Sequence, residues 1–401
     1  MQTHTKLWNR DYTRAFLGNF LVTLVANGLP GVFTLFLLSR GGTDLDSGIA
    51  TAAFYIVSLI ACPVAGWIVD NRGRKKLLIL ALIGMVAIPW LFLLVPWIVG
   101  LILTRTLHGI MESVSLTTIT TNAYDALDEA HFSEGVGCYG FGNSLGTAFG
   151  PAINLFMYRR FGEPGLFAAC SLLCALALLL MLRFHYMPIE RSSKRMRDER
   201  LRYILYEKKA LPASALDGVY TLMSGAVNTY IAVYLVQCGD IVDAGRYFFV
   251  QAIGSFSSRL IIGRISAKYG EAPLVAISAI SGAAGMSLVL FASSVFPIYV
   301  GAILMGIGIG FNFSGMQIMS VRIVKPERRG AASSTYSCGW NLSAGLGGLI
   351  AGVLVTLTNY KTMFICMMAV YPAYAILYFT WGRKQPSAFR VWKAKQEGAK
   401  A

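Results

Sequence analysis

Long apolar runs separated by short polar breaks dominate the chain. Each run approaches the ~20 residues that a helix needs to cross the hydrocarbon core of a bilayer. Twelve are legible, over residues 13–38, 48–69, 77–95, 97–122, 135–157, 164–184, 213–236, 244–266, 272–292, 295–320, 331–356 and 362–382. None shows the short alternating segments of a membrane barrel. The glycines and prolines inside the runs suit membrane helices, where neighbouring helices re-satisfy freed backbone groups. The predicted fold is an all-α integral membrane protein of twelve transmembrane helices. One long polar interval divides it into an N-terminal six-helix bundle (1–184), a linker (185–212), a C-terminal six-helix bundle (213–382) and a basic tail (383–401). The linker reads as a solvated tether with a short surface helix.

The two halves echo each other. Gly66 and Gly73 recur as Gly263 and Gly270, a shift of 197 residues. Gly109 and Gly306 each follow 36 residues later, and Glu134-Gly135 and Gly150 recur as Arg329-Gly330 and Gly345 at a shift of 195. Five matches in order point to a duplicated, pseudo-symmetric architecture. The charges are not all kept, since Asp70 becomes Ala267.

Composition narrows the class further. Hydrophobic residues make up 55% and charged residues 14%, which excludes an ordinary soluble enzyme. A net charge of +15 invites a nucleic-acid reading, but its distribution rejects it. With the N-terminus inside, 28 of the 35 Lys and Arg fall in cytoplasmic segments, nine of them between Arg183 and Lys209 and six between Arg383 and Lys400. Positive residues favour the cytoplasmic side, so both termini are expected there. The basic excess is topology, with anionic lipid headgroups as its partner. The seven cysteines show no paired external spacing, so neither a disulfide framework nor a metal site is expected. No phosphate-cradling loop and no catalytic constellation is present in the sequence. The expectation is a protein that is not an enzyme and uses no cofactor. The N-terminus has no cleavable leader pattern, so the first helix is expected to be retained.

The loop Gly66-Trp67-Ile68-Val69-Asp70-Asn71-Arg72-Gly73-Arg74-Lys75-Lys76 resembles the signature between helices 2 and 3 of the major facilitator superfamily. The resemblance covers nearly the whole chain and is closest to the drug and metabolite antiporters. It implies two six-helix bundles rocking around a central cavity. It also implies a conformational latch of Gly66, Asp70, Arg72, Gly73, Arg74 and Asp125. There Asp70 faces the start of helix 11 at Gly330 and Ala331, where a carboxylate meets unpaired N–H groups, and Arg74 faces Asp125. The bland alternative is positive-inside charge on a tight turn. A second motif, Gly146-Thr147-Ala148-Phe149-Gly150-Pro151, resembles the helix 5 signature of the antiporters, although Asn154 and Leu155 replace its glycine pair. Gly146, Gly150 and Pro151 would form a flexible seam between halves, or else ordinary small-residue packing.

Candidate chemistry sits in the fourth run. Arg105, His108, Gly109 and Glu112 share one helical face. The run is similar to the family's R-x-x-Q-G pattern, with His108 in place of Gln. Ionisable groups in a bilayer are costly and face a bundle interior or an aqueous cavity. Glu112 is expected to be the main protonation site and Asp217 the second, with His108 sharing the proton or merely hydrogen-bonding. A non-titrating Arg105–Glu112 pair is the structural alternative. Arg105, Asn27, Tyr220, Asn228, Gln251, Asn312, Gln317, Trp340 and Asn341 are the candidate substrate-binding residues, each also explicable as an interhelical contact. The expected function is secondary active transport by a monomer in a bacterial inner membrane. Its partners are protons and a small-molecule substrate, with no nucleic acid. Proton-coupled efflux of drug-like or metabolite compounds is the leading form, and uptake of a small polar nutrient or organic anion the alternative.

Overall fold

Helix boundaries follow local capping chemistry. In α1 (Arg10–Ser39) the Asn9 side chain accepts from the N–H groups of Asp11 and Tyr12 at 3.1 and 2.8 Å. Such a cap is worth about 1 kcal/mol. At the start of α2 (Asp44–Arg72), Thr43 N donates to Asp46 Oδ2 at 2.8 Å and Asp46 N donates to Thr43 Oγ1 at 3.1 Å. This is a reciprocal capping box. The computed structural model describes residues 7–72, 74–128, 131–186, 207–237, 243–322, 324 and 329–398. Most of the predicted linker therefore lies outside the described residues.

Two compact units hold the chain, Met1–Ser192 and Ser193–Ala401. The first continues with α3 (Lys75–Leu94) and α4 (Ile98–Asp125). A helical run, Phe132–Leu182, then covers two predicted segments. Gly162 divides it at φ 68°, ψ −170°, a conformation that glycine adopts without a Cβ clash. We label the arms α5 (132–161) and α6 (163–182). The second unit contains α7 (Leu211–Gln237), α8 (Ala244–Tyr269), α9 (Ala272–Leu290), α10 (Val295–Val321) and α11 (Arg329–Leu357). The last predicted segment is two helices, α12 (Tyr360–Met367) and α13 (Val370–Thr380). The break has a cause at Pro372, which has no N–H to give the carbonyl of Met368 and clashes with it. A short 3-10 turn, Gly382–Lys384, leads to α14 (Phe389–Gly398), so the tail expected from composition contains a helix.

Among the described residues, nine stretches are long and apolar enough to cross a bilayer. One of them, Cys138–Leu182, holds both arms of the helix broken at Gly162. The polar α4 and α8 are not among the nine. Large apolar side chains lie on the outside, including Leu80 (64% exposed), Ile280 (69%) and Phe296 (76%). Water would oppose such a surface, whereas lipid solvates it.

With lipid outside, close packing holds each unit together. α1 packs on α5, α2 on α4, α7 on α11 and α8 on α10. A Cβ on Gly150 would stand 2.6 Å from Leu24 O and 3.1 Å from Gly28 N, so the backbones of α1 and α5 approach as only glycine permits. In the first unit Phe33, Phe36, Phe92 and Phe167 form a ring cluster with centroids 5.0–6.1 Å apart. Such pairs add about 0.5–1.5 kcal/mol each beyond their burial.

Candidate transport site

The polar face of α4 lies against this aromatic cluster. Arg105 is 2% exposed and His108 is fully buried. The guanidinium of Arg105 lies over Phe54 at 4.2 Å and Phe33 at 5.4 Å. His108 stacks on Phe54 at 5.7 Å and meets Phe92 at 6.3 Å. Arg105 Nη1 and His108 Nδ1 are 2.9 Å apart. A guanidinium only donates, so Nδ1 is the acceptor and the neutral ring carries its proton on Nε2. Glu112 Oε2 stands 3.9 Å from the same Nδ1. That nitrogen has no proton to give it. No direct Arg105–Glu112 ion pair forms among the described residues, contrary to the structural alternative that the i, i+7 spacing allowed.

Several buried polar atoms on this face have no hydrogen-bond partner among the described residues. They are His108 Nε2, Glu112 Oε2, Ser115 Oγ and both amide atoms of Asn122. Spacings of three, four and seven residues keep them on one side of α4, along about 21 Å at 1.5 Å per residue. Each unpartnered buried group costs roughly 1–3 kcal/mol.

The second unit places a carboxylate in a different setting. Asp217 of α7 is fully buried. Asn312 Nδ2 of α10 donates to its Oδ1 at 2.7 Å, and Thr221 Oγ1 to its Oδ2 at 3.3 Å. Tyr336 of α11 lies beside it. All of these partners are neutral.

The other candidates are dispersed. Tyr220 packs between Tyr371 and Tyr374, each 5.4 Å away. Asn27 Nδ2 donates back to Thr23 O at 3.2 Å within α1. Gln251 is buried, and Asn228, Trp340 and Asn341 are half-buried. Gln317 is exposed. It lies five residues beyond Asn312, about 140° around the helix, and cannot share that residue's face. Gly146 and Gly150 meet Thr23, Leu24 and Gly28 of α1, so the contacts of this motif fall within the first unit.

The sequence profile of the Major Facilitator Superfamily matches residues 15–239 and 218–400. The chain belongs to that superfamily. It is a multi-pass membrane transporter with a small-molecule substrate, not an enzyme. The staphylopine export protein of Staphylococcus aureus is 24% identical over 376 residues, spanning 88% of this chain and 93% of that protein. Among solved structures, nucleoside transporter NupG superposes with a TM-score of 0.75 at 14% identity, covering 94% of this chain and 98% of its own. The human organic anion transporter MFSD10 gives 0.66 at 16% identity, covering 92% and 98%. At these identities the structural likeness shows the fold.

In the transporter's predicted latch, Arg74 and Asp125 form an ion pair at the ends of α3 and α4. Gly66 has open space where a Cβ would go. Gly73 lies outside the described residues, and nothing is described of the Asp70 and Arg72 side chains.

The sequence reading missed the counterpart of that pair. The shift of 197 residues that relates Gly73 to Gly270 carries Arg74 to Glu271 and Asp125 to Arg322, with the charges exchanged. Arg322 Nη1 donates to Glu271 Oε2 at 2.5 Å, with the two side chains 8% and 1% exposed. Glu271 Oε1 also accepts from Tyr378 Oη at 3.2 Å and from Phe389 N, the first residue of α14, at 2.9 Å. Arg322 donates to Ser387 O at 3.1 Å and faces the rings of Phe389 and Trp392 at 5.3 and 6.0 Å. Following the charges as well as the glycines through the repeat would have found it.

Proposed function

We propose that this transporter exports a small amphipathic, drug-like or metabolite solute in exchange for protons, and that Asp217 carries the proton. Burial of Asp217 among neutral partners carries the reading. An ionised carboxylate with no cation beside it, out of water, costs several kcal/mol. A group in that setting exchanges its proton only when its surroundings change, as alternating access requires. Glu112, the first choice from sequence, becomes the second, because its side chain is 14% exposed and close to Arg105, whereas Asp217 is fully buried among neutral groups. The unpartnered atoms along α4 support a hydrated or substrate-lined face beside it. We read the helices as twelve crossings with both termini cytoplasmic, from the distribution of Lys and Arg, in a bacterial inner membrane. Arg74–Asp125 then belongs to a latch on the cytoplasmic side.

Export is favoured by the likeness to the staphylopine export protein. An organic-anion cargo paired to Arg105 is less favoured, because Phe33, Phe54 and His108 enclose that guanidinium.

The test uses everted vesicles with an inside-acid gradient, offered staphylopine and ethidium as probes. Gradient collapse on adding either probe is expected, together with uptake into the vesicle lumen. Asp217→Asn should abolish pH-driven flux while sparing gradient-free exchange, and Glu112→Gln should retain part of the pH-driven flux. Full pH-driven flux in Asp217→Asn would overturn the assignment.

A further inference from the structure

The Glu271–Arg322 pair holds more than two helices together. The Glu271 carboxylate stands at the start of α9 and at the start of α14, where unpaired N–H groups and the positive dipole end favour an anion. Arg322 holds the chain just before α14 through Ser387 O, and Ser387 and Ala388 are each 1% exposed. The tail helix is therefore fixed to its own bundle, in a set orientation.

That orientation builds a groove. Arg383, Lys384, Arg390, Val391 and Ala394 line a concavity of about 570 Å³ between the 3-10 turn after α13 and the face of α14. The three cations are exposed, and no acidic side chain lines the groove among the described residues. It opens directly after the last apolar helix, whose end carries Trp381 at 40% exposure. Tryptophan with nearby Arg and Lys is the usual residue set at a membrane–water boundary. This end is the one that the charge distribution assigns to the cytoplasm, where basic groups attract anionic lipid.

We propose that this groove is a binding site for the headgroup of an anionic phospholipid. The phosphate pairs with Arg383, Lys384 and Arg390, and the glycerol and first acyl carbons meet Val391 and Ala394. Arginine suits the phosphate through its planar fork of donors. A free phosphate would find the same cations but would leave the apolar wall unused. The position at the end of a spanning helix favours the lipid.

The experiment titrates purified full-length protein in neutral detergent with short-chain phosphatidylglycerol, followed by native mass spectrometry. Phosphatidylcholine of equal chain length, glycerol phosphate and inorganic phosphate form the other arms. Arg383→Gln/Arg390→Gln should weaken phosphatidylglycerol binding about 25-fold, taking about fivefold per basic side chain. Arg159→Gln/Arg160→Gln removes the same charge from α5 and should leave binding unchanged. If the double variant does not purify as a folded protein, Lys384→Gln alone should weaken binding about fivefold. Equal losses in both double variants would reduce the effect to net charge and overturn the site. Binding of glycerol phosphate or inorganic phosphate as tight as that of phosphatidylglycerol would overturn the lipid assignment, as would equal binding of phosphatidylcholine.

Discussion

Neutralising Glu271 should loosen the second unit from its end. In Glu271→Gln the amide can still accept from Phe389 N and Tyr378 Oη, so the substitution removes charge more than shape. It leaves the Arg322 guanidinium, 8% exposed in the native protein, without its counter-ion. Breaking one side of a buried pair costs about 3–5 kcal/mol. The lower end applies here, because Arg322 lies at the end of α10 and keeps Ser387 O and two aromatic rings as partners. For a unit of this size each kcal/mol corresponds to about 2–4 °C in Tm, which gives a fall of about 6–12 °C. Thermal unfolding of the purified protein in detergent measures it, and hydrogen exchange over residues 386–394 reports on α14 directly. Restoring opposite charges in the polarity of the first unit, as Glu271→Arg/Arg322→Glu, separates two contributions. The ion pair returns and should recover part of the Tm. Arginine offers Phe389 N no acceptor, so exchange in α14 should stay fast. A Tm within about 2 °C of the parent for Glu271→Gln, with unchanged exchange in α14, would refute the reasoning.

Three further outcomes follow from the geometry. His108→Gln should keep an acceptor for Arg105 and retain transport, whereas His108→Leu leaves that cation unpartnered and should lower Tm and flux; equal behaviour of the two in vesicle assays would refute the neutral-acceptor role. Gly150→Val should separate α1 from α5 and lower Tm by several degrees, at about 1–3 kcal/mol for overpacking, while Gly66→Ala, which meets open space, should not; a thermal scan comparing them decides. In the loop after α4, Asp128 accepts from His131 Nδ1 at 2.8 Å and His131 N at 2.9 Å, and the side-chain bond holds its carboxyl below its ordinary value of 3.8. Its contribution to loop order is thus complete above that value and lost as pH falls through the lower folded one, and Asp128→Asn should remove the pH dependence of protection at the His131 amide, taken as the measured exchange rate against the intrinsic rate at each pH.

Much of the architecture was legible in one dimension. Lipid accepts only segments whose backbone groups are satisfied internally, so apolar runs of spanning length declare themselves as helices. All eleven predicted runs before residue 360 have ends within four residues of a described helix or helix arm, and the break at Gly162 falls in the predicted gap. Periodicity also put Arg105, His108 and Glu112 on one face, since helical geometry alone sets that. Tertiary structure decided what those side chains do. Spacing allowed Arg105 to pair with Glu112, but packing against Phe33 and Phe54 turned the guanidinium to His108 and fixed the imidazole as an acceptor. Asp217 was a candidate from sequence, but its neutral partners came only when α10 brought Asn312 to it from 95 residues away. In one dimension the tail is only a basic segment, because no local signal marks the partners that order it. Glu271, Arg322 and Phe389 lie on three separate segments, and the free energy that joins them exists only once burial has removed the water that each would otherwise bind.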